Sequence, residues 1–269
     1  MGLSESSVEP SRVVGVAPMA VAVVMPAYNE AEAIAEFLTE LNAALAHAEP
    51  SFIVVDDAST DGTADVVLAL AAAGMPVALV RNESNQGHGP STMRALREAL
   101  ERGALTVVAV DGDGQFRGAD VALALAALLD GAADVVEGVR VLRRGPSYRR
   151  AVSRATQALV WTRARSWPGD ANTPLRVYRR GTLTTLLDVI PSTAATPNLL
   201  ISAACRRLGL AIEEVEVMSL PRRGTDSTGS TWGASRPSLP SRRFVAFCAL
   251  SVREWARTPL PAPTHSPSS

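Results

Sequence analysis

The 269-residue chain contains no lysine, only two cysteines and only three histidines. All 26 of its Lys+Arg residues are therefore arginines, a bias that a GC-rich genome explains without any functional reason. The two cysteines, Cys205 and Cys248, exclude a disulfide framework. With so few histidines beside them, they also exclude a Cys/His zinc cluster. These counts are typical of a protein from a reducing cytosol.

Long apolar runs are also missing, although 47% of the residues are apolar and only 4% are aromatic. No run approaches the roughly 20 apolar residues that cross a bilayer. Residues 65–80 come nearest, but Gly74 and Pro76 interrupt them. Residues 1–12 lack the basic and apolar regions of a signal peptide. We therefore expect a cytoplasmic protein that is either fully soluble or in peripheral contact with the inner face of the membrane.

The charges are distributed unevenly along the chain. Residues 1–134 carry 6 Arg against 19 Asp+Glu, whereas residues 135–269 carry 20 Arg against 8 Asp+Glu. An acidic half suits a metal site, and a basic half suits a phosphate, an anionic acceptor or a membrane surface. For any single arginine, a position on a solvated surface is an equally good explanation.

Apolar strand-like runs alternate with helical patterns from about residue 20 to residue 220. The predicted strands are Val21–Met25, Phe52–Asp56, Val77–Val80, Leu105–Val110, Asp134–Val139 and Ile212–Met218. The predicted helices cover about 30–47, 62–73, 91–102, 119–130, 148–165 and 197–208. This alternation predicts an α/β fold with a mainly parallel, Rossmann-like sheet and helices on both faces.

The two ends of the chain are expected to differ from this body. Residues 1–19 are interpreted as a flexible leader, and the Pro/Ser-rich residues 258–269 as a disordered tail. Residues 221–257 are expected to form a loop followed by an amphipathic helix over 242–257. That helix fits a membrane interface or a last helix that caps the core, and we prefer the second interpretation.

Polar residues follow the predicted strands, where open α/β sheets bind their ligands. After the first strand, Asn29 and Glu30 open a helix, and helix capping alone explains both. After the second strand come Asp56 and Asp57, two adjacent carboxylates whose charge at a buried strand end needs a partner or a ligand.

Asp111 and Asp113 follow the fourth predicted strand, with glycines at 112 and 114. In an extended segment this spacing points both carboxylates the same way, and the glycines let a ligand approach the backbone. Two hard oxygen donors that face one point suit Mg²⁺ or Mn²⁺ bound to phosphate oxygens. Taken alone, the D-x-D pattern also occurs in many exposed turns.

Three ordered segments together resemble glycosyltransferase family 2, in the branch that contains dolichyl- and polyprenyl-phosphate sugar synthases. They are the P-x-Y-N-E turn at Pro26–Glu30, the V-D-D-x-S-x-D-G-T segment at Val55–Thr63 and the D-x-D-x-Q segment at Asp111–Gln115. The resemblance covers about residues 20–225. It implies a GT-A fold over residues 20–220, an inverting bacterial enzyme with a nucleoside-diphosphate sugar as donor, and no nucleic-acid partner.

The resemblance also implies roles on the donor side. The donor site would comprise Pro26, Tyr28, Glu30, Asp57, Asp111, Gly112 and Arg223. Within it, Asp57 would accept hydrogen bonds from the base. Mg²⁺ or Mn²⁺ would be held by Asp111, Asp113 and Gln115 and would neutralise the departing diphosphate, which makes Asp113 a catalytic residue.

The basic half resembles the acceptor side of the same branch. The acceptor residues would be Arg140, Arg150, Arg176 and Ser227, because an arginine fork binds phosphate in a bidentate way. Many family 2 enzymes carry a Glu-Asp pair whose Asp deprotonates a hydroxyl acceptor, and no such pair occurs between residues 160 and 210. A phosphate acceptor needs no base. For a hydroxyl acceptor, Asp170 is the best candidate, and with Arg140 it completes the catalytic set.

Several alternatives remain open from the sequence. The same donor chemistry could serve a soluble acceptor in bacterial natural-product or cell-surface glycan biosynthesis. A sugar-nucleotidyltransferase is disfavoured, because its Gly-rich basic loop would stand where Pro26–Glu30 stands. A non-catalytic nucleotide-sugar binding module would not need the intact acidic residues. His88, in a Gly-rich loop, contacts donor phosphates or is simply exposed.

Overall fold

The fold was analysed in a computed structural model, which describes residues 19–141, 147–223 and 242–263. Seven strands form one sheet. They are β1 (Val21–Ala27), β2 (Ser51–Asp56), β3 (Val77–Arg81), β4 (Thr106–Ala109), β5 (Val135–Val141), β6 (Arg176–Arg179) and β7 (Ile212–Met218). All six predicted strands are present. The seventh, β6, was missed.

Eight α-helices surround the sheet within the described ranges. They are α1 (Ala31–Ala44), α2 (Thr63–Ala72), α3 (His88–Glu101), α4 (Gly118–Asp130), α5 (Ser147–Ala164), α6 (Arg180–Val189), α7 (Pro197–Arg207) and α8 (Arg242–Arg257). Six of them match the predicted helical patterns and α8 matches the predicted amphipathic helix. Helix α6 was not predicted. No helix of the described part is both long and apolar enough to cross a membrane.

The strand order is β3-β2-β1-β4-β6-β5-β7. All neighbours are parallel except β6, which runs antiparallel to β4 and to β5. Strand β5 therefore runs in the same direction as β1, β2 and β4, and the carboxyl ends of all four lie at one edge of the sheet. This is the predicted α/β fold with a mainly parallel sheet.

Helices cover both faces of the sheet, as predicted. One apolar core includes Phe37 of α1 and Leu125 of α4. The other includes Met93 of α3, Val160 of α5 and Trp255 of α8. Because parallel strands are buried on both faces, β1 is buried along its whole length.

Strand β6 has charged residues at both ends, which explains why an apolar pattern did not reveal it. Arg176, at its start, is fully buried. Arg179, at its end, donates to the carbonyl oxygens of Leu128, Gly131 and Ala133 at the end of α4. Each arginine satisfies buried or half-buried backbone acceptors, so the strand tolerates charge where the sequence pattern predicts none.

The ends of the described chain belong to the folded body. Met19 is buried in one of the cores, whereas residues 1–18 of the predicted leader lie outside the described residues. Thr258 is buried and the carbonyl of Pro261 accepts a hydrogen bond from Arg207. The predicted disordered tail is therefore wrong for residues 258–263, and residues 264–269 lie outside the described ranges.

Helix α8 caps the core through its carboxyl-terminal half. Trp255 is buried, and the Glu254 carboxylate accepts hydrogen bonds from the backbone N–H groups of Ala195 (2.6 Å) and Thr196 (2.9 Å). These two residues precede α7, whose first N–H groups need acceptors. This geometry agrees with the preferred interpretation of α8. Leu250 and Val252 nevertheless remain exposed on the same helix.

Candidate functional site

The turns that follow β1 and β2 are joined by side-chain hydrogen bonds. The backbone N–H of Asn29 donates to Ser59 Oγ (2.9 Å), and the Thr60 N–H donates to Asn29 Oδ1 (3.0 Å). Asn29 has a positive φ of 54°, which asparagine tolerates better than most residues. Its side chain thus ties the two turns together, and it does not cap α1 as the sequence suggested.

Asp61 fixes the start of α1 from the neighbouring turn. Its Oδ2 accepts the N–H of Ala31 (3.0 Å), and its Oδ1 accepts the N–H of Thr63 (3.0 Å). Partial burial acts to raise the pKa of Asp61, but hydrogen bonds from Thr63 and Ala31 outweigh it and hold that pKa below its usual value. The Thr63 hydroxyl oxygen in turn accepts the Glu30 N–H (2.8 Å). The Glu30 backbone is therefore fixed by α2.

Asp57 holds the loop before α3. Its Oδ1 accepts hydrogen bonds from Asn82 Nδ2 (2.7 Å) and the Gln86 N–H (2.8 Å), and its Oδ2 accepts the Gly87 N–H (2.8 Å). The residue is 3% exposed. Asp57 therefore shapes the wall of the site through this loop, and its contact with a base stays a prediction. Its neighbour Asp56 is buried and paired with Arg81 (3.1 Å).

The D-x-D turn lies against the end of β1. The Gly112 N–H donates to the carbonyl oxygen of Pro26 (3.3 Å), and a Cβ at position 112 would lie 3.0 Å from that oxygen. Glycine is therefore what lets the turn approach β1 this closely. Pro26 is buried and contributes its carbonyl, and Tyr28 is half-buried on the same loop. The structure thus brings the first and third predicted motifs together.

The carboxylates of this turn are crowded. Burial, and after it the neighbouring Asp111, raises the pKa of Asp113 to about 6. His88, the first residue of α3, places its Nε2 3.4 Å from Asp111 Oδ1. Among the described residues, no group of three or more His, Cys, Asp or Glu side chains is arranged to hold a metal. Two carboxylates and the nearby Gln115 are thus an incomplete but chemically suitable donor set for a hard divalent cation.

Arg222 faces the carboxylates of the site and was missed by the sequence analysis. Its Nε lies 3.3 Å from Glu30 Oε2, and its Nη2 contacts Glu30 Oε1. Burial raises the pKa of Glu30 to about 7 against the opposing effect of Arg222, and the charges of Asp113 and Asp111 add to the rise. Arg222 also acts to lower the pKa of Asp113. Arg222 therefore lies beside Glu30, close enough to the D-x-D turn for its charge to act on Asp113.

Arg223 has a different position from the one predicted. Its guanidinium contacts Glu36 (3.0 Å), Glu40 and the carbonyl oxygen of Gly114 (3.2 Å), and it stacks on Phe37. These partners direct it onto α1. The assignment of Arg223 as a donor ligand is corrected: it anchors the chain, and the adjacent Arg222 faces the site.

Backbone hydrogen bonds hold the segment that carries both arginines across the D-x-D turn. The Leu220 N–H donates to the Gln115 carbonyl (2.9 Å), and the Arg223 N–H donates to the Asp113 carbonyl (3.1 Å). The segment therefore forms one wall of the site directly over the predicted metal ligands. Ser227, predicted farther along the same loop, lies outside the described residues.

On the β5 side, Arg140 and Asp170 form a bidentate ion pair. Arg140 Nε lies 2.7 Å from Asp170 Oδ2, and Nη2 lies 3.2 Å from Oδ1. Nη2 also donates to the carbonyl oxygen of Asn172 (3.0 Å). Asp170 is buried, whereas Arg140 is partly accessible. The two predicted catalytic residues of this half are thus together, with Asp170 orienting Arg140.

Arg176 cannot reach an acceptor. It is fully buried, pairs with Glu137 (3.2 Å), and donates to the carbonyl oxygens of Asn198 (2.9 Å) and Ala171 (3.3 Å). Although the antiparallel direction of β6 puts Arg176 opposite Ala109 at the end of β4, the side chain is enclosed by these partners and has no exposed surface. The prediction that Arg176 binds the acceptor is wrong. Arg150 lies exposed near the start of α5.

Comparison with known proteins places this arrangement in a family. The model of glycosyl transferase family 2 matches residues 22–191. An undecaprenyl-phosphate mannosyltransferase of Micrococcus luteus is 30% identical over 210 residues, which cover 76% of this chain and 85% of that protein. An undecaprenyl-phosphate 4-deoxy-4-formamido-L-arabinose transferase of Serratia proteamaculans is 29% identical over 77% of this chain and 62% of that protein.

The fold agrees with solved structures of such enzymes. Glucosyl-3-phosphoglycerate synthase from Mycobacterium tuberculosis, solved with Mn²⁺, UDP and glucosyl-3-phosphoglycerate, superimposes with a TM-score of 0.61 at 21% identity. The match covers 90% of this chain and 81% of that one. At this identity the similarity concerns the fold alone, and it is the GT-A fold that the motifs implied. The family model, which matches more than half of the chain, and the Micrococcus relative show that the protein belongs to glycosyl transferase family 2.

Proposed function

We propose that this protein transfers a sugar from a nucleoside-diphosphate sugar to a polyprenyl phosphate at the inner face of the membrane. One observation carries this proposal: the D-x-D turn lies with Pro26, Glu30 and Arg222 at one edge of the sheet. Strand β5, which carries Arg140, ends at the same edge. The undecaprenyl-phosphate transferases among its relatives support the choice of acceptor.

On the donor side, Asp111, Asp113 and Gln115 would hold Mg²⁺ or Mn²⁺. The bound ion would supply Lewis-acid stabilisation of the charge that develops on the leaving diphosphate. Asp113 fits this role because a neighbouring cation would offset the burial and the Asp111 charge that raise its pKa. The Mn²⁺ in the Mycobacterium enzyme supports the same choice. Arg222 would exchange part of its contact with Glu30 for the diphosphate.

On the acceptor side, Arg140 and Arg150 would bind the acceptor phosphate. Asp170 holds the Arg140 fork in a fixed orientation through two contacts, which lowers the entropic cost of a bidentate phosphate contact. An acceptor phosphate oxygen would attack the anomeric carbon of the sugar. The bond between that carbon and the donor diphosphate would break at the same time. The bonding electron pair leaves with the nucleoside diphosphate. Attack from the opposite face gives inversion.

The acceptor identity also explains why no base is needed. A phosphate monoester is already an anion at neutral pH, so the attacking oxygen carries no proton that must be removed. Asp170 is buried against Arg140 and would be a poor base for a hydroxyl acceptor. This geometry favours the phosphorylated acceptor over a soluble hydroxyl acceptor.

Two linked measurements test the proposal. The first is a thermal-shift panel of UDP-, GDP- and dTDP-sugars with and without Mn²⁺, in which a ligand of the folded state raises the midpoint. The second follows transfer of labelled sugar from the stabilising donor to undecaprenyl phosphate in detergent.

Asp113→Ala should abolish the Mn²⁺-dependent shift and the transfer, whereas Asp130→Ala, at an exposed helix end, should change neither. The proposal is wrong if the folded wild-type protein transfers no sugar from any of these donors to the lipid phosphate. Transfer that persists in Asp113→Ala would remove the D-x-D turn from the mechanism.

A further inference from the structure

One long stretch of the basic half contains arginine as its only charged residue. Between Gly138 and Gly169 the sequence has eight arginines and no Asp or Glu. Helix α5 occupies most of this stretch. Among the other helices on this face, α6 contains Asp188 and α8 contains Glu254. The charge of α5 is therefore not balanced within its own segment.

The arginines of α5 fall into two groups with different roles. Arg163 faces the body, where it donates to the carbonyl oxygens of Trp255 and Thr258 (2.9 Å) and stacks on the Trp255 ring. Arg154 is exposed, and none of the described residues forms a hydrogen bond or an ion pair with its guanidinium. Structural contacts thus account for Arg163 and leave Arg154 for another role.

The exposed residues of α5 lie along one side of the helix. Arg150, Arg154 and Trp161 are separated by four and seven residues, spacings that repeat on one face of an α-helix. Arg165 directly follows the last residue of α5 and lies beside Trp161 through the contact of its guanidinium with that ring. The opposite side is buried at Val160. We call Arg154, Trp161 and Arg165 the α5 surface.

Tryptophan is the second independent feature of this surface. Trp161 is 43% exposed, and the Arg165 guanidinium lies 5.1 Å from its ring centroid. Trp167, two residues after Arg165, is 56% exposed. Large aromatic side chains are mostly buried in folded proteins, and tryptophan is enriched where proteins meet the water–lipid boundary. A merely solvated arginine face would not need these rings.

The α5 surface also has a defined position relative to the site. Strand β5 ends at Val141, on the sheet edge that carries the D-x-D turn, and α5 begins at Ser147. The exposed stripe starts with Arg150, a proposed acceptor ligand, and continues away from this edge. A planar anionic surface against α5 would therefore present its phosphates at the acceptor end of the site.

We infer that the α5 surface docks the protein onto an anionic lipid bilayer, with Arg154 and Arg165 contacting headgroup phosphates and Trp161 entering the interface. This inference rests on the proposed lipid-phosphate acceptor, and it adds the surface through which the enzyme reaches it. Arginine suits the task because its fork binds phosphate in a bidentate way. The attraction is short-ranged and weakens with salt.

Helix α8 provides a matched control surface within the same protein. Arg253 and Arg257 are exposed on it, beside the exposed Leu250 and Val252. Arg253→Gln/Arg257→Gln removes the same charge as Arg154→Gln/Arg165→Gln, from the same residue type on a helix of similar length. Leu123→Ser, on α4 at the other face of the sheet, matches Trp161→Ser as the loss of one exposed apolar side chain.

The experiment is co-sedimentation of the full chain with phosphatidylglycerol and phosphatidylcholine vesicles that contain no acceptor lipid. We expect binding to phosphatidylglycerol only, released by 0.5 M salt, which is about three times physiological ionic strength. Arg154→Gln/Arg165→Gln should weaken partition about thirtyfold, from about 1 kcal/mol per arginine. Trp161→Ser should weaken it as well, and the two control variants should bind like wild type. Circular dichroism checks that each variant is folded.

The outcomes separate this inference from the proposed function. Equal losses in the α5 and α8 variants, or no wild-type binding to phosphatidylglycerol, would overturn the docking surface. Activity on a short, water-soluble prenyl phosphate tests the transferase alone, and Arg154→Gln/Arg165→Gln should keep it. The same variant should be slower on vesicle-embedded undecaprenyl phosphate. Absence of transfer to either acceptor would contradict the proposed function. The docking surface would then stand or fall on the vesicle-binding result alone.

Discussion

Arg140 lies against Asp170 with its Nε 2.7 Å from one carboxylate oxygen and its Nη2 3.2 Å from the other. From the sequence, Asp170 is the candidate general base for a hydroxyl acceptor. In the structure both of its carboxylate oxygens accept from one guanidinium, an arrangement that suits orienting Arg140 better than removing a proton from a hydroxyl. The structure makes Asp170 a positioning residue for Arg140.

Replacing Asp170 by Asn should therefore act on acceptor binding. The amide keeps the shape but loses the charge-assisted contacts, so Arg140 is held less firmly. We expect the KM for the lipid phosphate to rise about tenfold while kcat changes by a few-fold, since one such contact is worth about 1.5–3 kcal/mol. Arg140→Gln should cost more, because it removes the phosphate ligand itself.

Steady-state kinetics with undecaprenyl phosphate measures this division between KM and kcat. Asp188→Asn, on the exposed side of α6, is the matched control and should behave like wild type. A fall in kcat of about 10²–10⁴-fold with an unchanged KM would instead identify Asp170 as a general base.

Replacing Arg176 by Met should destabilise the protein without a specific effect on the acceptor. The substitution leaves Glu137 buried with one fewer cationic partner and leaves the Asn198 and Ala171 carbonyls without their donor. Breaking a buried ion pair costs about 3–5 kcal/mol of unfolding free energy. The double variant Glu137→Met/Arg176→Met should cost less than Arg176→Met alone, because the Glu137 carboxylate is removed and the buried Arg206 keeps its contact with Glu214 (3.0 Å).

Urea denaturation measures these costs. Arg102→Met, which breaks a partly exposed pair with Glu98 at 3.4 Å, should cost about 1 kcal/mol or less. If the Arg176→Met protein is stable and has a raised KM for the lipid phosphate, Arg176 does bind the acceptor.

The strands and motifs were readable from the sequence because their signals are local. Apolar runs identified six strands, and the D-x-D turn was found where β4 ends, since a parallel sheet places ligand-binding turns at that edge. Strand β6 was missed because Arg176 and Arg179 interrupt its apolar pattern. Both charges are satisfied by partners far away in the chain, which no local pattern records.

The roles of individual arginines were the least readable part. Arg222 and Arg223 are adjacent, and a motif match cannot say which of them turns toward the site. The structure decides because Glu36 and Glu40 on α1 attract Arg223 and leave Arg222 beside Glu30. Arg176 was misassigned for a similar reason, because its burial depends on Glu137 and on the carbonyls of Asn198 and Ala171, which a motif match does not reveal.

Cation binding should depend on pH through Asp113. Its pKa is raised to about 6, so below that pH the carboxyl is protonated and a cation must displace the proton. We expect the affinity for Mn²⁺ with the nucleoside diphosphate to fall as the pH drops from 7 to 5, with proton release on binding near pH 6. Calorimetry in two buffers of different ionisation enthalpy measures both. Asp113→Asn should bind Mn²⁺ weakly at every pH, and an unchanged profile in this variant would remove Asp113 from the ligand set.

Glu30 should make the metal-free protein less stable as the pH rises from about 4.5 to 7. Burial raises its pKa from 4.5 to about 7 in the folded protein, so between these values the folded state keeps a proton that the unfolded chain has lost. The unfolded state then binds fewer protons, and the free energy of unfolding falls with pH. The slope reaches about 1.4 kcal/mol per pH unit in the middle of this range and is smaller near both pKa values, so the loss is on the order of 2–3 kcal/mol.

The comparison of wild type with Glu30→Gln tests this effect, because the variant loses the whole Glu30 contribution, whereas Asp113, whose pKa is raised mainly by burial and Asp111, still titrates in both proteins. Urea denaturation in chelator at pH 4.5, 5.5, 6.5 and 7.5 should show a smaller decline for Glu30→Gln. Glu83→Gln, at an exposed loop position, should decline like wild type. The difference between the amide and the protonated carboxyl shifts the Glu30→Gln curve by a constant, so only its slope is diagnostic. Parallel curves for wild type and Glu30→Gln would mean that Glu30 is ionised throughout this range and that Arg222 outweighs its burial.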